Sequence, residues 1–318
     1  MKLKIRLTAL NNIIKKSLNF FDFNIHSNIA IKFNNVIIMF FNNSLKQFEI
    51  LNRNHLKYIV IIFMLIDHIC YFYPPDNPIV IFFNFISRLT APTMALFIAE
   101  GYYYTRDVHK YMERLLIFAV ISYIPYVLFY VGYFLPVMLF PGSTPPTFYL
   151  PSGKSIIQPN VFLPFLDSTL VIFRTSVIFT LFLGLVSIYL WDRIDLPKYI
   201  KLAITLVILW IGAFCHWQYF VIVLCLIFYF LKDNPKKMWL AFIILAILRA
   251  FDVRLFLNPF CPAFTTHFEL YKLGIFLVPV LFALYNGQSG SKSAFNKWFF
   301  YIFYPAHLLI LGLIRIFM

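Results

Sequence analysis

The chain has 318 residues, of which 61% are hydrophobic and 13% charged, and its formal net charge at pH 7 is +14. Soluble domains carry about 25% charged residues, so the composition excludes a soluble globular protein and indicates a polytopic membrane protein. The positive charge does not indicate nucleic-acid binding. Lys and Arg fall in short loops between apolar runs, which is the positive-inside pattern of membrane topology.

Residues 1–54 form a basic N-terminal extension that differs in composition from the rest of the chain. Its most apolar stretch, NIAIKFNNVIIMFF, is interrupted by Lys32, Asn34 and Asn35 and is too polar for a convincing membrane span. No small-residue cleavage site follows it, which argues against a signal peptide. Two interpretations stay open: an amphipathic segment that lies on the membrane surface, or an over-long start with Met39 as the real first residue.

Residues 55–318 contain about nine apolar segments of helical length, judged against about 20 residues for one membrane crossing. They predict an all-α, polytopic helical bundle. The segments are 56–74, 79–103, 113–134, 168–190, 198–214, 217–231, 238–254, 270–285 and 298–317. Basic residues concentrate in alternate loops, so the N-terminus is predicted to be cytoplasmic. The Pro-rich loop 135–167 is long for a connector, which predicts a functional lid or a disordered stretch.

Asp67 and His68 stand side by side inside the apolar run YIVIIFMLIDHICYFY. His68 follows Lys57 by about 16 Å of helix, which predicts a position near mid-membrane. Adjacent helical residues diverge by about 100°, so the two side chains face different neighbours, and Arg88 is the expected partner of Asp67. Ionisable residues inside a membrane usually mark a site or a pathway. The structural alternative is a packing ion pair beside a hydrogen-bonded core histidine.

Other ionisable side chains lie in or beside the predicted spans. Glu100 is near the cytoplasmic end of the second span, and His307 is inside the last one. There Pro305 frees a backbone carbonyl and permits a kink. His216 and Gln218 fall at the predicted outer turn between the fifth and sixth spans, where solvation at the interface explains them. The four cysteines are scattered without CxxC pairing, so neither a metal site nor a disulfide framework is predicted.

A basic stripe is predicted after the second span. Arg106, Lys110 and Arg114 have the spacing i, i+4, i+8, which places them on one face if TRDVHKYMER is helical. Such a stripe can bind anionic headgroups or the phosphates of a cytosolic cofactor. Membrane topology alone also explains basic residues at this position.

Several stretches together resemble the TraX family of membrane proteins, named for a conjugation protein that N-acetylates pilin subunits. The matching pieces are LKYIVIIFMLIDHICYFYP, FISRLTAPTMALFIAEGYYYTRDVHKYMERLLIFAVISYIPY, VIFTLFLGLVSIYL, LYNGQSG and KWFFYIFYPAHLLIL. The similarity covers most of residues 55–318. The resemblance implies a protein of the bacterial cytoplasmic membrane. One turn departs from the family, which tends to show DWDYG where this chain has HWQYF, and the departure puts the acceptor in doubt.

A weaker likeness connects the chain to the transmembrane acyltransferases, including the acyltransferase type three family. In their first helix a basic residue is followed, after ten intervening positions, by a histidine, and Lys57 and His68 have that spacing. This likeness implies that His68 is the general base. The other positions that match the family and are expected to shape the site are Arg88, Glu100, Arg106 and His307.

The predicted function is acyl transfer from cytosolic acetyl-CoA to an amine or hydroxyl acceptor, such as a pilin or peptide N-terminus or a sugar. The predicted catalytic residues are His68, Asp67, Arg88, Glu100 and His307, and the predicted donor-binding residues are Arg106, Lys110, Arg114 and Lys57. Two alternatives stay open: a proton-coupled transporter that uses the buried polar residues as a relay, and a non-catalytic membrane component of a secretion or conjugation assembly.

Overall fold

A computed structural model describes residues 50–74, 76–131, 175–250, 270–291 and 293–317, which belong to one unit that begins at Ile50. Secondary structure in these ranges is helical, apart from two isolated β-bridges that join Leu51 to Tyr285 and Thr175 to Cys215. The all-α prediction is therefore confirmed for the described part of the chain. Residues 1–49 and the loop 135–167 lie outside it, and the predictions for them stay predictions.

The helices run in the following order: α1 Arg53–Cys70, α2 Pro78–Ser87, α3 Thr90–Tyr104, α4 Val108–Ile121, α5 Tyr123–Val131, α6 Val177–Arg193, α7 Lys198–Gly212, α8 Gln218–Phe230, α9 Pro235–Ala250, the 3₁₀ segment Leu270–Phe276, α10 Leu277–Ala283 and α11 Ala294–Phe317. Each of the nine predicted spans overlaps at least one of these helices. The core is built mainly from the apolar faces of α1, α3, α5, α6, α8 and α11.

Three helical segments within the described residues are long and apolar enough to cross a membrane. They are Pro78–Tyr104, Val108–Tyr130 and Ala294–Ile316, and two shorter apolar helices are Gln218–Phe230 and Leu270–Ala283. These segments support a membrane protein. The total of nine crossings stays a prediction.

Two predicted spans are each divided into two helices. The second span breaks at Arg88, between α2 and α3, and the third breaks at Ser122, between α4 and α5. In both cases a proline stands at the third helical position after the break, Pro92 in α3 and Pro125 in α5. Proline has no N–H and clashes with the carbonyl four residues earlier, so a continuous helix cannot pass through it without distortion. The first break places Arg88 at the end of α2, facing α1.

The 3₁₀ segment packs against α2 through Gly274, where a Cβ atom would overlap the backbone carbonyl of Phe85. We expect Gly274→Ala to destabilise the protein by at least about 3 kcal/mol, because backbone atoms cannot rotate aside to relieve overpacking. The measurement is the melting temperature of detergent-purified protein. Gly287→Ala is the matched control, since a Cβ there meets nothing within 4 Å and costs only the left-handed backbone conformation, about 1 kcal/mol. Equal melting temperatures would contradict this prediction.

Candidate functional site

The carboxylate of Asp67 and the guanidinium of Arg88 form an ion pair with an N···O distance of 2.8 Å. The hydroxyl of Ser87 donates a second hydrogen bond to the same carboxylate oxygen at 2.6 Å. Arg88 Nε also donates to the carbonyl of Asn84 at 3.2 Å. The predicted Asp67–Arg88 pairing is confirmed, and each charge has hydrogen-bond partners that offset the cost of burial.

Two aromatic rings cover the Arg88 guanidinium. Its central carbon lies 5.5 Å from the ring centroid of Trp217 and 5.1 Å from that of Tyr271, distances at which cation–π attraction operates. Trp217 reaches Arg88 from the turn before α8, where Trp217 and Gln218 both adopt left-handed backbone conformations with φ of 65° and 53°. The sequence did not predict that Ser87, Trp217 and Tyr271 contact this ion pair. The break after α2 and the left-handed turn bring them together, and neither follows from hydrophobic periodicity.

The imidazole rings of His68 and His307 pack edge to face, with their centroids 5.0 Å apart. Both side chains are buried, with exposed fractions of 3% and 5%. His68 lies in the last turn of α1, which ends at Cys70, and His307 lies in the second half of α11. The structure therefore joins the two histidines that the sequence reading placed in the first and last spans. The predicted mid-membrane depth of His68 stays a prediction.

Backbone hydrogen bonds determine the tautomer of both histidines. His68 Nδ1 lies 2.7 Å from the carbonyl oxygen of Met64, and His307 Nδ1 lies 2.9 Å from that of Phe303. A carbonyl oxygen can only accept, so each Nδ1 carries the hydrogen. In the neutral rings each Nε2 then presents a lone pair. His307 Nε2 is buried and has no hydrogen-bond partner. Nε2 is therefore the acceptor atom of each neutral ring.

Aromatic side chains of α5, together with Tyr71 just after α1, lie beside the histidine pair. Phe129 contacts His68 edge to face at 5.2 Å, and Tyr130 packs against Tyr71 at 5.6 Å. His216 lies 5.9 Å from the Tyr130 ring, so the turn in the sequence HWQYF borders the site. The sequence reading had explained His216 by solvation alone. Its contact with Tyr130 depends on the packing of α5, which the chain pattern does not reveal.

A second polar group lies between the first turn of α1 and the last turns of α3. Arg53 Nε donates to Glu100 at 3.1 Å, and the hydroxyl of Tyr285 donates to the other carboxylate oxygen at 2.7 Å. Glu100 therefore does not lie with Asp67 and the histidines, and the expectation of one catalytic set is wrong in that respect. Arg53 was missed because it precedes the first predicted span.

The four predicted donor-binding residues are in different environments. The Lys57 ammonium lies 5.0 Å from the Phe300 ring centroid, and no carboxylate in the described residues is within ion-pair distance of it. Arg114 Nε is buried and has no hydrogen-bond partner. Arg106 and Lys110 are exposed. Lys57 and Arg114 therefore face the interior, whereas Arg106 and Lys110 face outward.

The predicted single basic stripe is wrong in its geometry. Asp107 caps α4 by accepting a hydrogen bond from the Lys110 amide at 3.0 Å, so the helix begins at Val108 and Arg106 precedes it. The Lys110 backbone amide, followed by the Lys110 ammonium, holds the pKa of the Asp107 carboxyl below its usual value. Only Lys110 and Arg114 share a helix. Asp107 is a better N-cap than any nearby residue, and that capping signal could have placed the boundary.

Comparisons with known proteins give one family and one named relative. The family model described as TraX protein matches residues 52–140 and 162–315, which together exceed half of the chain. The chain is also similar to a protein of Dichelobacter nodosus named "Probable fimbrial assembly protein FimC, serogroup H1", with 25% identity over 267 residues. That alignment covers 83% of this chain and 95% of the relative. No solved structure matches the chain.

Proposed function

The chain belongs to the TraX family, and from that premise we propose that it is a membrane-embedded acyltransferase. It moves an acetyl group from cytosolic acetyl-CoA to an amine or hydroxyl acceptor. The proposed setting is the bacterial cytoplasmic membrane, crossed about nine times, with the N-terminus in the cytoplasm. The spacing of Lys57 and His68, which resembles that in acyltransferase type three proteins, is the reason for proposing the same chemistry.

The observation that carries the proposal is the histidine pair with its Nδ1 hydrogens fixed on backbone carbonyls. In the proposed reaction His68 Nε2 takes the proton from the acceptor N–H or O–H group. The acceptor atom bonds to the acetyl carbonyl carbon, the C–S bond breaks, and the departing thiolate receives the proton from His68. Asp67 and Arg88 hold the end of α1 against α2 and so keep His68 in place.

The other end of α1 supplies positive charge for the donor. Lys57 and Arg114 face the interior there, without carboxylate partners in the described residues, and Arg106 and Lys110 are exposed nearby in sequence. Acetyl-CoA carries several phosphate charges at one end and its thioester at the other. About 16 Å of helix separates Lys57 from His68. We propose that the phosphates bind at the basic end and the thioester reaches the histidines.

The name of the relative suggests a class of acceptor. That protein is named for fimbrial assembly, so we propose the N-terminus of a surface-fibre subunit as the first candidate acceptor. A peptide or a sugar hydroxyl has the same reactive chemistry and belongs in the same screen.

A non-catalytic role in assembly is the second candidate. This role is favoured by the hydrogen bonds that Asp67 accepts from Arg88 and Ser87. Such pairing stabilises helix packing and does not require a catalytic role for any of the three residues. A proton-coupled transporter is the third and uses the same buried groups as a relay. Neither alternative requires affinity for acetyl-CoA.

Arg106→Ala tests the donor site. We expect the substitution to weaken acetyl-CoA binding about tenfold, because one charge-assisted contact to phosphate is worth about 1.5 kcal/mol. The measurement is the dissociation constant of detergent-purified protein, together with the rate at which acetyl-CoA is hydrolysed. Lys236→Ala removes an exposed cation from the first turn of α9 and is the matched control. An unchanged dissociation constant for Arg106→Ala would remove Arg106 from the donor site.

A further inference from the structure

Several buried polar side-chain atoms in the described part of the chain have no hydrogen-bond partner. They include Ser176 Oγ, Tyr304 Oη and His307 Nε2, on side chains whose exposed fractions are 1%, 4% and 5%. Buried polar groups are nearly always hydrogen-bonded, and an unpaired one costs about 1–3 kcal/mol. Atoms of this kind can form hydrogen bonds with a bound group.

Two of these atoms belong to α11, and the third belongs to the N-cap residue of α6. Tyr304 and His307 are three positions apart on one face of α11, and their rings are 5.5 Å apart. The Tyr304 hydroxyl also lies close to the backbone amide of Val177, the residue after Ser176, but outside hydrogen-bond geometry.

The hydroxyls of Ser176 and Tyr304 can donate, whereas His307 Nε2 presents a lone pair and can only accept. An amide can only donate, so Val177 leaves the Tyr304 hydroxyl hydrogen without an acceptor. Ser176 is the N-cap residue of α6, but its side chain makes no capping hydrogen bond and the first turn of α6 contains no acidic residue. The N-terminus of a helix carries a partial positive charge. The hydroxyls of Ser176 and Tyr304 and the N-terminus of this 17-residue helix, which has no side-chain cap, together favour binding of a negatively charged oxygen between them.

We infer that Ser176, Tyr304 and the N-terminus of α6 form an oxyanion hole for the acetyl group. The inference rests on the proposed function. As the acceptor atom bonds to the carbonyl carbon, the carbonyl π electrons move to oxygen. The hydroxyls of Ser176 and Tyr304 donate to that oxygen while the acceptor proton passes to the histidine pair. When the intermediate collapses, the electrons return, the C–S bond breaks and thiolate leaves. Preorganised donors act most strongly in a site that excludes water.

Tyr304→Phe and Ser176→Ala test the oxyanion hole with water as the acceptor. We expect each substitution to lower the rate constant for acetyl-CoA hydrolysis by about 10²-fold, the usual effect of removing one oxyanion donor. The dissociation constant for acetyl-CoA should stay within twofold of wild type, about 0.4 kcal/mol. The melting temperature should not fall, because each substitution removes an unpaired buried hydroxyl.

Two control variants should show the opposite pattern. Tyr102 is buried and its hydroxyl donates to Asp192 at 2.6 Å, so Tyr102→Phe should lower the melting temperature and leave hydrolysis unchanged. Asn77 caps α2 by accepting from the Ile79 amide at 2.9 Å, so Asn77→Ala should behave in the same way. A merely structural role for Tyr304 and Ser176 would make them resemble these controls.

The outcomes separate this inference from the proposed function. Wild-type rates in Tyr304→Phe and Ser176→Ala, in a protein that binds and hydrolyses acetyl-CoA, would overturn the oxyanion hole and leave the acyltransferase proposal intact. A lower melting temperature with an unchanged rate would also overturn it. If wild type neither binds nor hydrolyses acetyl-CoA, the proposed function fails first and the oxyanion hole fails with it.

Discussion

His68→Gln is expected to lower the rate of acetyl transfer or hydrolysis by about 10³-fold while acetyl-CoA binding stays unchanged. The amide of glutamine can still occupy the space of the ring, but it cannot accept a proton at neutral pH, and a general base contributes about 10²–10⁴-fold. His68 lies about 16 Å along α1 from Lys57, so the phosphate contacts should survive. The measurement is single-turnover release of CoA, together with the dissociation constant of the same preparation.

His109→Gln is the matched control for this substitution. His109 is exposed and its Nε2 lies 3.3 Å from the hydroxyl of Tyr189, away from the histidine pair. The His109→Gln protein should transfer acetyl groups at the wild-type rate. A His68→Gln protein that binds acetyl-CoA and retains more than a tenth of the wild-type rate would exclude His68 as the base.

Asp67→Asn is expected to destabilise the protein by about 3 kcal/mol, because it leaves the Arg88 charge without a counter-ion inside the helical bundle. Removing one partner of a buried ion pair costs about 3–5 kcal/mol, and the lower figure applies because the two side chains retain exposures of 17% and 22%. Ser87 would still donate to the amide oxygen. The measurement is the unfolding free energy, or the melting temperature, in one detergent.

The double variant Asp67→Asn with Arg88→Gln should recover part of that loss, since it leaves no unpaired charge. Lys110→Ala is the comparison for an exposed pair. Lys110 and Asp107 are 72% and 44% exposed, and such pairs contribute under about 1 kcal/mol. If Asp67→Asn is no more destabilising than Lys110→Ala, the ion pair does not hold α1 to α2.

The Asp67–Arg88 pair was predictable because both residues interrupt apolar runs in consecutive predicted spans, at a similar predicted depth. Only a few charged residues in those predicted spans are available to pair. The helix breaks at Arg88 and Ser122 could also have been predicted, since Pro92 and Pro125 cannot continue a regular helix. The sequence reading treated each span as one helix and missed both.

Other features of the site depend on long-range packing. The contact between His68 and His307 joins the first and last helices of the described chain, and no local pattern specifies that meeting. The cover over Arg88 comes from Trp217 and Tyr271, which lie in a left-handed turn and a 3₁₀ segment. Hydrophobic periodicity contains no information about either.

The basic residues illustrate a different limit. A spacing of four residues predicts a common face only where the helix is continuous, and the Asp107 cap excludes Arg106 from α4. The positions of Lys and Arg in the sequence also do not show that Lys57 and Arg114 face inward while other cations are exposed. Burial distinguishes them, and burial follows from which helices pack together.

The most direct test of the acyltransferase account is equilibrium dialysis of labelled acetyl-CoA against the detergent-purified wild-type chain, with unlabelled CoA as competitor. The account predicts saturable binding that unlabelled CoA displaces and that weakens as salt screens the phosphate contacts. No saturable binding at a millimolar concentration of acetyl-CoA, about −4 kcal/mol of affinity, would contradict it and leave Asp67, His68 and Arg88 to helix packing or to a transport relay.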